Sequence, residues 1–377
     1  MGIIEDEFLK TIEKEIEEAL ERHTELIPDD LDKVTEETIQ SSLSELIDVF
    51  PDALERSSTK IVQRGRRDQL GFEKRCYRRW RGAFELYDII LGVATEVGEK
   101  HAQEHFEESQ VGPDYIFGAL TFLHPRMLLV ASEIGALLRA GFPDGALARW
   151  RTLHEISVVA MFISQNDQDT AKRYLASFQF NDHRAALQVN EYADRANLTP
   201  FSPEEIAEMR AVCSAIEGDL GRAIGKDYDW AKEALDTKHV TLFDLEKATG
   251  LDHWRPRYRW ASQHTHAGHR PLDRLLGMVE AKRPVNLVGS SNSGFVDPLS
   301  MAGISIAICC TAFFGTKPTM DSVVAMKSVE VLGDRLGQVA LRLEAETLEP
   351  HEQRRAIFGL PKRLLDWLGA LVSRGFS

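Results

Sequence analysis

Long apolar segments with helical spacing fill the middle of the chain, and they constrain its fold more than any other feature. Residues 115–140 repeat Ile, Leu and Met every three or four positions, and 144–165 and 170–196 continue that period. Gly141 and Pro143 end the first segment, and the turn 166–169 ends the second. Helices that are apolar around most of their circumference belong in the centre of a bundle. The sequence therefore predicts an all-α fold, a multi-helix bundle.

Helical signals continue to the end of the chain. Ser202-Pro203-Glu204-Glu205 combines a serine cap, a proline in the first turn and a glutamate that completes a capping box. The stretch 218–252 predicts short helices and loops, and 283–296 predicts a loop because it is rich in Gly, Ser and Asn. Four further helices are expected, over residues 254–266, 297–316, 319–346 and 350–373.

The first sixty residues are strongly acidic, with eighteen acidic against six basic side chains. Residues 3–25 carry one apolar stripe on a charged helix, and a second amphipathic helix starts near Thr35. Such helices need a surface to pack on, in the same chain or another. The predicted organisation is an N-terminal amphipathic helical arm over residues 1–68, a central apolar bundle over 69–316 and a C-terminal helical pair over 317–377.

A basic segment over residues 64–81 follows the acidic arm, and one long helix, basic at its start, is predicted from about residue 70 to 105. Residues 61–82 hold eight basic and two acidic side chains, together with Tyr77 and Trp80. Three interpretations remain open: docking of the acidic arm of the same or another chain, binding of an RNA backbone, and a solvated charged face. The first predicts a homo-oligomer or a helical protein partner, joined through the acidic arm and this basic segment.

The composition narrows the compartment and the cofactors. The formal net charge is −14, so the overall field does not attract nucleic acid. The four cysteines form no C-x-x-C spacing and are expected to be small buried thiols in a reducing compartment. No secretory signal opens the chain, and the apolar stretch 299–316 is short for a membrane span of about 20 residues. The nucleotide-binding glycine motifs are absent. We expect a cytoplasmic protein with no membrane segment and no cofactor.

A charged set lies inside an otherwise apolar helix at Arg151-Thr152-Leu153-His154-Glu155. Arg151 and Glu155 are four residues apart and share a helix face. Unpaired burial of either charge would cost several kcal/mol. The two side chains are therefore expected either to form an ion pair that fixes helix register or to line a functional pocket.

A second polar set surrounds Arg259, His264 and His266. Helical ribonucleases of the HEPN class use an Arg followed four to six residues later by His, as charge stabiliser and general acid–base at the RNA phosphate. Arg–His pairs at this spacing occur four times here, about as often as chance gives, and Trp260 stands where those enzymes favour a small polar residue. His264, His266 and His269 also suggest metal binding, but no nearby carboxylate completes a familiar ligand spacing, so no metal site is predicted.

Three short patterns together resemble a known family. They are Arg151-x-Leu153-x-Glu155, then Ala171-x-Arg173-Tyr174-Leu175, and much later Tyr258-x-x-x-Ser262-x-x-x-His266. In this combination residues 115–315 resemble the bacterial family of the domain of unknown function 5677. The resemblance implies a helical bundle in which the Arg/Glu pair faces the Ser/His helix, and it implies no reaction. Helical proteins of this general kind include members of bacterial defence and toxin systems, which is an analogy of context.

Two functional hypotheses follow. The first is a non-catalytic or ligand-binding helical module that acts through self-assembly or partner docking. The second is a metal-independent ribonuclease in which His264 or His266 is the acid–base, Arg259 and Arg151 hold phosphate, and Glu155 orients a partner. Convergence of these five side chains around an open cleft would favour the second hypothesis.

Overall fold

The computed structural model describes residues 28–265, 275–281 and 286–346, together with Lys14, Glu17, Glu18 and Glu21. All regular structure in these residues is helical, which confirms the all-α bundle. The chain divides into two compact units, residues 1–71 and 72–377. Most of the predicted helix over 3–25 and all of the predicted helix over 350–373 lie outside the described residues.

Ten α-helices are described, and short 3₁₀ turns connect some of them. They are α1 (Pro28–Val111), α2 (Tyr115–Arg139), α3 (Pro143–Ser164), α4 (Gln168–Ala196), α5 (Pro203–Leu220), α6 (Lys232–Leu235), α7 (Leu242–Ala248), α8 (Arg255–Ser262), α9 (Val296–Phe314) and α10 (Met320–Ala345).

Local capping explains why the predicted starts of the central helices agree with the structure. The Asp114 carboxylate accepts a hydrogen bond from the Phe117 backbone N–H, and Asp167 caps α4 in the same way. Ser202 and Glu205 form the predicted capping box at the start of α5. Gly141, with φ of +87°, takes the left-handed conformation that ends α2 and lets α3 begin two residues later.

Two predicted boundaries were wrong. The sequence predicts separate helices before and after residues 51–69, whereas α1 continues through Pro51 to Val111. Residues 52–70 contain four Arg, two Gln and two Leu, which favour helix. The helix predicted over 254–266 ends early, since α8 stops at Ser262.

The core of the second unit is formed mainly by α2, α3 and α9, with α10 packed along α9. Residues of α1 close one side of it, and the Trp80 ring stacks on the Phe295 ring with centroids 4.9 Å apart. The α9–α10 contact is very close at two glycines, since a Cβ placed on Gly303 would lie 3.3 Å from the Cα of Gly333. Backbone therefore meets backbone at this crossing, with the Leu336 side chain beside it.

Burial agrees with the expectation for the thiols. All four cysteines are free and buried. Burial raises the pKa of Cys76 and of Cys309 to about 12, so both thiols stay protonated at neutral pH. By length and composition alone, α2 and α9 would each be able to cross a membrane; 44% and 61% of their apolar windows are buried in the protein.

Candidate functional site

One polar stripe runs along α3 and carries three charged side chains. Asp144, Arg151 and Glu155 are separated by seven and four residues, so they share one face of the helix. Residues from α8, from the segment after it and from the loop before α6 cover this stripe. Two of the candidate site residues, Arg151 and Glu155, therefore lie on this stripe.

Glu155 lies at one end of the stripe, among tyrosines. Its carboxylate accepts a hydrogen bond of 2.5 Å from the Tyr228 hydroxyl. Burial, and then the negative charge of Glu155, raise the pKa of Tyr228. Burial also raises the pKa of Tyr174 to about 12 and that of Tyr258, and the charge of Glu155 acts on both in the same direction. These phenols are neutral hydrogen-bond donors at neutral pH.

Arg151 contacts the ring of Tyr258 and forms no ion pair with Glu155 among the described residues. Its guanidinium carbon lies 4.8 Å from the centroid of that ring, a cation–π geometry. The Nε atom of Arg151 is buried and has no hydrogen-bond partner in the described part of the chain. The structure therefore gives Arg151 and Glu155 separate partners, and the expected register-fixing ion pair is not formed.

A buried polar triad of His154, Glu246 and Arg255 lies next to this stripe. The Nε2 atom of His154 is 3.1 Å from Oε1 of Glu246, and Nη1 of Arg255 is 3.1 Å from Oε2 of the same carboxylate. The side chains of His154 and Glu246 are 1% and 0% exposed. Arg255 also lies over the Tyr258 ring, at 5.0 Å, so the triad and the stripe share that tyrosine.

The sequence prediction missed most of this triad. His154 lies inside the polar set that the sequence singles out, so its position carried a signal. Glu246 lies in the ordinary amphipathic run of α7, and Tyr228 lies in a loop-like stretch, so neither one stands out in the sequence. Both meet α3 only through the tertiary fold.

The remaining predicted site residues do not join Arg151 and Glu155. His264 lies at the other end of the stripe, with Nδ1 3.2 Å from Oδ1 of Asp144. Arg259 is exposed and forms no ion pair or hydrogen bond within the described residues. His266 lies outside the described residues. The structure thus brings Arg151 and Glu155 together around Tyr258, and it places His264 two helical turns from Arg151.

A narrow surface crevice lies beside the triad. It is lined by side chains of α3 and α9 and by Trp254: Trp150, His154, Trp254, Met301, Ile304, Ser305 and Ile308. The Trp150 indole N–H donates to the Met301 carbonyl at 3.0 Å and to the Ser305 hydroxyl at 3.1 Å. The crevice wall is apolar and aromatic, with the hydroxyl and the imidazole as its polar groups.

The side chains of the stripe can donate hydrogen bonds and contact charged or aromatic groups. Neutral phenols donate hydrogen bonds, and the guanidinium groups of Arg151 and Arg255 interact with aromatic rings and carboxylates. No set of three or more His, Cys, Asp or Glu side chains suited to a metal ion occurs in the described residues. The arrangement fixes charged groups between helices, and it leaves Arg151 half-exposed at the surface of the stripe.

One protein-family model matches part of the chain. No curated protein and no solved structure matches the chain. The matched segment runs from residue 117 to 283, so it ends before residue 315, where the sequence patterns placed the limit of the resemblance. It contains α3, the Glu155 tyrosines, the His154 triad and α8. Residues 117–283 match the model of a family of unknown function (DUF5677), and the central part of this chain is similar to that family.

Proposed function

We propose that the chain is a non-catalytic helical module that acts by docking a helical protein partner or a second copy of itself. The proposal rests on the exposure of basic side chains in the basic segment and on their lack of ion pairs among the described residues. Lys74, Arg75 and Arg78 on α1 are exposed, and none of them forms an ion pair within the described residues. An exposed cluster of unpaired cations on a rigid helix attracts an acidic surface.

The neighbouring basic residues Arg79 and Arg81, in contrast, form ion pairs. Arg79 binds the Glu280 carboxylate through two nitrogens, at 2.5 and 2.9 Å, and Arg81 lies 2.7 Å from Glu85. The helix thus uses its inward and flanking cations within the fold and leaves the outward ones to solvent. The acidic first sixty residues of a second copy offer the matching charge.

The polar stripe supports a module over an enzyme. A ribonuclease that uses Arg and His needs both groups at one phosphate. Here Arg151 lies on Tyr258, His264 lies beside Asp144, and Arg259 is exposed without a partner among the described residues. The stripe is better suited to fixing α3, α8 and the loop before α6, and to holding a small polar ligand at Arg151.

Charge reversal of the basic segment tests the proposal. We expect Lys74→Glu/Arg75→Glu/Arg78→Glu protein to lose self-association or partner binding by at least about tenfold, because each docked charge changes from attraction to repulsion. Analytical ultracentrifugation at low and physiological salt measures it, and wild-type association should weaken as salt rises.

A matched control reverses three exposed cations elsewhere. Arg195→Glu/Arg210→Glu/Lys238→Glu changes the net charge by the same amount, and none of these three side chains has an ion pair in the described residues. We expect it to associate like wild type at equal ionic strength. Equal association of both triple variants would contradict the proposal, and loss of RNA binding alone in the first would favour the nucleic-acid interpretation.

The ribonuclease remains the alternative, and one observation favours it. The Asp144 carboxylate beside Nδ1 of His264 is the arrangement that orients a catalytic imidazole. Incubation of RNA with wild type and with His264→Ala/His266→Ala protein decides between the two. Cleavage by wild type that the variant loses would replace the module proposal with this one, and equal or absent cleavage would remove the ribonuclease.

The proposal also includes the cellular compartment and the biological system in which the protein acts. The resemblance of the central segment and the reducing-type thiols support a cytoplasmic protein of a bacterial cell, in a defence or toxin-type system. Fractionation of the native host and the identity of proteins co-purified with the wild-type chain, but not with the Lys74/Arg75/Arg78 variant, test this setting.

A further inference from the structure

One helix, α1, carries both an acidic and a basic block of side chains. Residues 28–57 hold nine acidic and two basic side chains, and residues 58–71 hold four basic and one acidic. Both blocks lie on the continuous helix Pro28–Val111. They therefore follow each other along a single helix axis, and the sign of the charge changes near residue 56.

This continuity keeps the two blocks of one chain apart. Successive residues of a helix are about 1.5 Å apart along its axis. Pro51 lies inside α1, and a proline bends a helix without reversing its direction. The acidic block of α1 cannot fold back onto the basic block of the same chain. Of the two docking interpretations of the sequence, docking on another chain therefore remains for residues 28–57.

Residues 1–27 are the other acidic segment of the chain, with nine acidic and three basic side chains. The helix predicted over residues 3–25 would be about 35 Å long. Folded back from Pro28, a helix of that length reaches about as far as residue 51 of α1, which is still within the acidic block. The charge that matches residues 58–71 is therefore expected in a second molecule.

The basic block is open to solvent. Lys60, Arg66 and Arg67 are exposed, and none of them forms an ion pair within the described residues. Arg64 lies 3.8 Å from Asp68, but the two side chains are 87% and 73% exposed, so this pair contributes little. The cations of the block are available to a negatively charged surface.

Large apolar side chains accompany these cations. Ile61 is 69% exposed, Val62 50% and Leu70 59%. A partner that matches both features is an acidic, amphipathic helix. The first half of α1 has this composition, because residues 28–57 are acidic and apolar residues recur there every three or four positions, at Ile39, Leu43, Leu46, Phe50 and Leu54.

The order of the two blocks is self-complementary when α1 meets its own copy in the antiparallel direction. With a two-fold axis near residue 56, residues 58–71 of one copy lie beside residues 41–54 of the other. The segment 41–54 contains three acidic side chains and no basic one, against a net charge of +3 for residues 58–71. Parallel pairing would instead set each block beside itself, which is repulsive.

We propose that α1 pairs antiparallel with α1 of a second copy, about a two-fold axis near residue 56. The proposal rests on the self-assembly part of the proposed function, and it names the partner helix and its direction. The contact is isologous, since the same segment of both copies forms it, and such closed two-fold contacts are the commonest in homo-oligomers.

Distances between spin labels test the direction of pairing. Gln40 and Thr59 are exposed and the native cysteines are buried, so Gln40→Cys and Thr59→Cys proteins can be labelled at one position each. In the antiparallel pair, the two copies of residue 59 are about 9 Å apart along the helix axis, and those of residue 40 about 48 Å. Pulsed electron paramagnetic resonance should give a short distance for the first and a long one for the second. Short distances at both positions would show parallel pairing and contradict the proposal.

Exchange of the two charge blocks tests their complementarity. Lys60→Glu/Arg64→Glu/Arg67→Glu leaves α1 acidic on both sides of the axis, and Glu45→Lys/Asp48→Lys/Asp52→Lys leaves it basic on both sides. We expect each triple variant of the full-length chain to dissociate at least about tenfold more readily in sedimentation velocity. The sextuple variant, which carries both changes, restores opposite charges across the axis and should associate like wild type.

Two controls accompany the exchange. The Arg195→Glu/Arg210→Glu/Lys238→Glu protein changes the net charge as much as the first triple variant does, and it should associate like wild type. A chain that lacks residues 1–27 should also associate like wild type, because the paired segments lie on α1. Circular dichroism checks that every variant keeps its helix content.

Three results would overturn the proposal: a wild-type chain that stays monomeric at about 100 µM, a sextuple variant that fails to regain association, and loss of association on removal of residues 1–27. The last result would assign the contact to that segment. Failure of the proposed function is distinguishable, because the Lys74/Arg75/Arg78 variant would then keep its association. If that variant loses binding and the sextuple variant does not recover it, the basic segment docks a different acidic partner, and only the pairing of α1 with itself is wrong.

Discussion

Replacing Glu246 with alanine will lower the free energy of unfolding by about 3–5 kcal/mol, which is the range for breaking a buried ion pair. Glu246 is fully buried and binds His154 and Arg255 with its two carboxylate oxygens. Without it, the half-buried Arg255 guanidinium loses a charged partner, and His154 loses its hydrogen bond in the core. Equilibrium urea unfolding, followed by circular dichroism, measures the change.

Two further variants separate the ionic contribution from simple loss of volume. Glu246→Gln keeps the shape and one acceptor, so we expect it to cost less than the alanine variant. In a double-mutant cycle, His154→Ala in the Glu246→Ala background should cost clearly less than His154→Ala alone, because the two side chains contact each other. Additive effects, or an alanine variant within about 0.5 kcal/mol of wild type, would show that the triad does not stabilise the fold.

The protein will lose stability as the pH falls from about 6.5 to 4, and two buried histidines will contribute about 3 kcal/mol each to that loss. His101 on α1 and His124 on α2 are each 2% exposed and lie on the Phe313 ring, with centroids 4.8 and 4.9 Å away. Burial lowers the pKa of each imidazole to about 4. The unfolded chain therefore binds these protons first, at its pKa near 6.5, and acid favours unfolding.

The surroundings of the pair allow a controlled measurement. His105 and Glu104 on α1, and Lys317 after α9, are the charged or titratable groups that act on His101; His101 acts on His124. Because other groups titrate below pH 5, the informative quantity is the difference in the pH slope between wild type and His124→Leu, which should be flatter. His239→Leu, at an exposed position, is the control. Identical slopes for wild type and His124→Leu would contradict the prediction.

Helix positions were predictable where the signal is local. The cap at Ser202 and the break at Gly141 each depend on two to four adjacent residues, and the structure has both. The apolar period of α2 and α3 fixed their place in the core for the same reason, since burial of a helix face depends on spacing along one segment.

Contacts between distant segments were not predictable from such signals. Tyr228 meets Glu155 across 73 positions of sequence, and Glu246 meets His154 across 92. Tyr228 and Glu246 each occupy an unremarkable context in their own segment of sequence, and only the tertiary packing against α3 buries them. The sequence pattern identified the polar stripe through Arg151 and Glu155. It did not identify the residues that contact them, because those contacts depend on the tertiary fold.

The close contact between Gly303 on α9 and Gly333 on α10 limits the substitutions that this protein can accept during evolution. Where backbone touches backbone at Gly303 and Gly333, there is no side-chain volume to trade, so a compensating change in the opposite helix cannot make room for a larger residue. Loops elsewhere can lengthen and core residues can exchange volume. The distance between the two helices is therefore fixed at this contact. The angle at which α10 presents its outer face stays the same as long as both glycines are kept.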